Sequence, residues 1–67
     1  MDITPYMEAA KRFLQVGGYH STSLEAIDCI GEVFKVVFRD LTRGRSLFVI
    51  VALEDKRPLG FWQTART

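Results

Sequence analysis

The sequence has little of what usually announces a chemistry: one cysteine and one histidine among 67 residues. A single thiol, Cys29, excludes an internal disulfide and every zinc site built on paired cysteines, and it fits a reducing compartment. One His, one Cys and the dispersed carboxylates Glu25, Asp28, Glu32, Asp40, Glu54 and Asp55 make no ligand cluster, so neither a metal nor a cofactor is expected. Long apolar runs are missing too. The longest, Leu47 to Leu53, has seven residues, where a bilayer-spanning helix needs about 18. No basic leader followed by an apolar stretch opens the chain. The expectation is a cytoplasmic protein that does not enter a membrane. Charge of one sign is also lacking: nine Lys and Arg stand against eight Asp and Glu. The five glycines never form a loop between a strand and a helix; Gly17-Gly18 follows a helical segment, so no phosphate-binding turn is indicated.

Nucleophilic and acid-base catalysis are equally poorly provided for. A Cys29 and His20 pair needs convergence within about 3 Å and a third group to orient the imidazole. Nothing in the spacing supports it, and Asp28, beside Cys29, points to the other face of any strand that holds both. The expectation for Cys29 is a small buried side chain, and for His20 a place in a loop. The carboxylates show no pair that would share a pocket. No catalytic residue is nominated, and the chain is not expected to be an enzyme.

What is abundant is apolar surface, 48% of the residues, in a length that suits one small domain. Residues 4 to 16 read as a helix. Thr4 is a suitable N-cap, Pro5 suits the first turn, and Gly17 supplies a left-handed end. On a helical projection Val16, Ala9, Phe13, Tyr6, Ala10, Leu14 and Met7 fill one arc of about 180°. Glu8, Lys11, Arg12 and Gln15 fill the rest. After the turn-forming stretch from Gly17 to Ser23 the period changes from 3.6 to 2. Residues 24 to 64 then read as an antiparallel meander with strands at about 24–30, 32–40, 46–54 and 59–64. Gly31 marks either a turn or a bulge inside one bent strand, which leaves three or four strands. The fold class is α+β, with the N-terminal helix packed on one face of the meander.

A two-residue turn at Arg43-Gly44 would pair Phe38 with Val49, Val36 with Val51 and Phe34 with Leu53. That face, with Leu47, is wholly apolar and is where the helix belongs. The opposite face would pair Arg39 with Phe48, Val37 with Ile50, Lys35 with Ala52 and Val33 with Glu54. One helix cannot cover both sides, so Val37, Phe48, Ile50 and either Trp62 or its neighbour Phe61 are expected to be solvent-exposed. Exposed apolar patches of this kind serve association, and a ring such as Trp62 is a natural anchor. The leading expectation is a protein-interaction module, a homo-oligomer or a subunit of a complex, using Val37, Phe48, Ile50 and Trp62. A second reading is single-stranded nucleic acid binding through Lys35, Arg39, Arg43 and Arg45 with the open-face aromatics. The net charge of +1 falls short of the strongly basic footprint such binding uses. A small-ligand cavity between helix and sheet, lined by Phe13, Tyr6 and Phe34, is a third and weaker option.

Overall fold

The computed structural model describes residues 2–64. One helix, α1 (Thr4–Val16), precedes four strands: β1 (Thr22–Ile30), β2 (Val33–Asp40), β3 (Arg45–Ala52) and β4 (Pro58–Gln63). They form one antiparallel sheet in the order β1-β2-β3-β4, with the helix packed on one side. This is the α+β layout that the change of period predicts.

The helix has its expected bounds, but its N-cap is one residue earlier than the capping pattern implies. Ile3, not Thr4, occupies the N-cap position and makes no side-chain cap; Asp2 instead accepts the Thr4 N–H through Oδ1 at 3.0 Å. The C-terminal end also differs in detail. Gly17 has an ordinary φ of −82°, and Gly18 is the left-handed residue, at φ 99°. Tyr19 N–H donates to the Leu14 carbonyl at 2.9 Å and Gly18 N–H to that of Gln15 at 3.0 Å. These two bonds define a Schellman end, which needs its positive φ one residue beyond the cap.

In the sheet, Gly31 is a turn: Ile30 pairs with Val33 across Gly31-Glu32, and Gly31 has φ 61°, as the first position of a II′ turn favours. The irregularity lies elsewhere in β1, between Leu24 and Ala26. The β2–β3 loop has four residues, 41–44, instead of two, so Asp40 faces Arg45, Phe38 faces Leu47, Val36 faces Val49 and Phe34 faces Val51. The expected register is therefore wrong by two positions. Because side chains alternate with period two, an even error leaves every residue on its expected face.

That face is the core. Val36, Leu47, Val49 and Val51 are fully buried, with Phe34 and Phe38 nearly so, against Tyr6, Ala10 and Leu14 of the helix. Tyr6 O–H donates to the Leu53 carbonyl at 2.8 Å. Tyr6 and Phe34 lie in ring contact at 4.5 Å, and Phe13 packs elsewhere, on Phe61 at 6.0 Å. The three aromatics proposed to line a cavity thus do not enclose one together. Burial of Cys29 is also overturned, since it is exposed on β1, an edge strand of the sheet. No helix among the described residues is long and apolar enough to cross a membrane.

The two glycines at the helix end should respond differently to alanine. Gly18→Ala is expected to lower stability by about 1 kcal/mol, the cost of a left-handed alanine, and Gly17→Ala to change it little. Urea unfolding midpoints of the two variants check this assignment.

Candidate functional site: the open face of the sheet

Alternation along the strands sends Lys35, Val37 and Arg39 of β2, Phe48 and Ile50 of β3 and Trp62 of β4 to the side of the sheet opposite α1. No other element among the described residues lies over them. Phe48 and Trp62 are directly paired, with ring centroids 5.4 Å apart. Trp62 is 48% exposed, and Phe48 and Ile50 are half-buried. Between the two adjacent aromatics of β4 the structure distinguishes clearly: Phe61 turns to the helix layer, 5.5 Å from Tyr19, and Trp62 to the open layer.

Val37 departs from expectation. It is 8% exposed despite its place on the open face. It stands between Ala26 and Phe48 across the sheet, and between Lys35 and Arg39 along its own strand. A short branched side chain in the middle of a sheet is shaded by longer neighbours that fold over it. The Lys35 ammonium lies 5.4 Å from the ring centroid of Phe48, the residue paired with Val37, within cation–π range.

The four basic residues of the central hairpin do not share one surface. Lys35 and Arg39 are on the open face, but Arg43 and Arg45 are not. Arg43 makes an ion pair with Asp40 at 2.8 Å and lies 5.3 Å from the Tyr19 ring, on the helix side. Arg45 donates to Gln63 Oε1 at 2.9 Å. Acids balance the two cations that remain. Asp28 stands opposite Lys35, and Glu25, at the β1 irregularity, approaches Arg39 at 3.8 Å and accepts a bond from Ser46 at 3.3 Å. The sequence gives no sign of this last contribution, because the bulge that delivers Glu25 has no glycine to mark it.

Asp40 is the one buried charged group among the described residues, at 2% exposure. Its Oδ1 accepts the Thr42 N–H at 3.0 Å and the Arg43 N–H at 3.4 Å, an Asx-type turn. The Arg43 guanidinium bonded to Oδ2, helped by those backbone donors, holds the carboxyl below the ordinary 3.8, although burial opposes the shift. This is a structural knot at the hairpin tip. Asp-x-x-Arg-Gly at a hairpin end is the sequence signal that could have revealed it.

Among the described residues no group of three or more His, Cys, Asp or Glu is placed to hold a metal ion. His20 is exposed in the segment between α1 and β1. Compared with known protein families, with curated proteins and with solved structures, the chain matches none.

The Asp40 knot makes a directional prediction about acid. A carboxyl whose folded pKa lies below its unfolded value stabilises the fold fully above the unfolded pKa of about 4, and the contribution is lost as pH falls through the lower folded value. Asp40→Asn should therefore melt at a lower temperature than the parent at neutral pH, with the difference narrowing toward about pH 2. Thermal unfolding followed across that range is the measurement.

Proposed function

We propose that this chain is a non-enzymatic protein-interaction module that self-associates through the open face of its sheet. The observation that carries the reading is the half-exposed Trp62 packed on Phe48, with Ile50 beside them, on a sheet surface with no covering element among the described residues. Large aromatic side chains in this setting are the residues from which interface hot spots are made. Val37, though mostly covered, forms the floor of the patch.

The charges favour a second copy over a polyanion. Glu25 and Asp28 offset Lys35 and Arg39 on the same surface. A two-fold interface must be complementary to itself, and a patch that holds both signs at the margin of an apolar centre meets that requirement. A phosphate backbone would meet as many acids as bases there. The nucleic-acid reading keeps one supporting observation, the Lys35 ammonium beside the Phe48 ring, and has lost Arg43 and Arg45 to other partners. A cytoplasmic setting belongs to the same proposal. An exposed single thiol at Cys29 persists unmodified most readily where the surroundings are reducing.

Sedimentation over a broad concentration range should show reversible association, and the fluorescence of the single tryptophan should shift to shorter wavelength as Trp62 loses water. Trp62→Lys and Ile50→Lys are expected to weaken association by about tenfold or more while the Trp62 variant keeps the parent's melting temperature. A monomer at every concentration would end the self-association proposal. Affinity for labelled single-stranded oligonucleotides that falls steeply with salt would replace it with the second reading.

A further inference from the structure

The apolar arc of α1 is wider than its contact with the sheet. Tyr6, Ala10 and Leu14 at its centre are buried, but Phe13 is 37% and Val16 85% exposed, both on the edge of the arc that overhangs β4. Between this edge and β4 runs an open groove. One part, of about 360 Å³, has Phe13, Val16, Tyr19 and Phe61 among its walls; a second, of about 320 Å³, shares Phe13 and Val16 and continues to Arg12, Lys56, Arg57 and Pro58.

The outer edge of β4 adds hydrogen-bonding capacity beside the groove. Thr64 N–H donates to the Ser46 carbonyl at 3.0 Å, which fixes the phase of the β3–β4 ladder. Trp62 and Gly60, two and four positions earlier, turn their backbone groups toward Phe48 and Ile50. Phe61 and Gln63 then direct their N–H and C=O groups away from the sheet. Their side chains are on the helix side, so a strand added there would send alternate side chains against Phe13, Val16 and Phe61.

Charge selects the occupant. Arg12, Lys56 and Arg57 gather at the Pro58 end of the groove, and Asp55 is the one acid in its wall, already 3.7 Å from Arg57. We propose that this groove binds an extended acidic peptide segment, which adds to β4 as a fifth strand with two apolar side chains at alternate positions in the groove and its carboxylates among Arg12, Lys56 and Arg57. The groove is on the helix side of β4, whereas Trp62 of the same strand faces the open side of the sheet.

The probe is a fluorescein-labelled Asp-Asp-Val-Thr-Val-Thr peptide, with Lys-Lys-Val-Thr-Val-Thr as its counterpart, titrated against the full chain by anisotropy and by amide hydrogen exchange. The acidic peptide should bind about tenfold or more tightly than the basic one and should slow exchange at Phe61 and Gln63. Val16→Glu, at a side chain too exposed to matter to folding, and Arg12→Glu should each weaken binding by about tenfold with the melting temperature unchanged. Absence of binding, or equal affinity for the two peptides, would overturn the proposal. So would protection that appears at Ile27 and Cys29 of β1 instead, or protection at Phe61 and Gln63 that rises with protein concentration alone, which would assign the edge to a second copy.

Discussion

A single helix has to cover a sheet of four strands, and most of the molecule's surface character descends from that mismatch. A helix with its side chains is about 10 Å across, while four strands spaced about 4.8 Å apart are wider. The helix lies over the middle of the sheet, where Val36, Leu47, Val49 and Val51 are completely shielded. Each such side chain contributes about 1.5–3 kcal/mol relative to exposure. Ala10, also fully buried, keeps α1 close to this aliphatic layer, since its side chain is only a methyl group. The edges are left with less cover: Leu24 and Ile30 of β1 are 41% and 55% exposed, and β4 borders a groove in place of a packed wall.

The hairpin tip shows how the same economy is applied to polar groups. Asp40 stabilises two loop amides and the Arg43 guanidinium at once, and Arg43 extends the arrangement to the Tyr19 ring at the Schellman end of α1. Leu41 N–H donates to the Ser21 carbonyl at 2.9 Å in the same region. The far end of the sheet is thereby tied to the segment that leaves the helix. The cost to recognition is that Arg43, one of the more conspicuous cations in the sequence, is committed to internal structure.

Periodicity made the helix, the antiparallel meander and both faces of the central hairpin legible, because burial of one face imposes its period directly on the sequence; whether Gly31 separates two strands, giving four and not three, was left to the structure. Register was not legible to the residue. The loop at Leu41–Gly44 is four residues long because the Asp40 side chain organises it, and side-chain bonding of that kind leaves only a short local trace. The same limit explains Gly17 and Gly18, where two adjacent glycines offered the left-handed position and only the Tyr19 and Leu14 bond decides between them. Of the open-face residues, alternation put Phe48 and Ile50 on the face the structure shows, but it left Trp62 and Phe61 undecided, and only the packing of Phe61 on Tyr19 separates them. Val37, 8% exposed, was misjudged because alternation fixes the face a residue takes and does not encode how far its neighbours cover it.

The nearest-neighbour strand order has a kinetic meaning. Each strand pairs only with the strands next to it in sequence, so the sheet assembles through short loop closures that cost little entropy. Docking of α1 is the step of long reach, since the Tyr6 to Leu53 bond spans 47 residues. Loop-closure entropy must be met before non-local contacts repay it, so docking of α1 is the most demanding closure in the fold. Without α1 the six side chains Phe34, Val36, Phe38, Leu47, Val49 and Val51 would form a bare apolar sheet surface. The helix is therefore the element that keeps the core face of the meander out of water and out of reach of other chains.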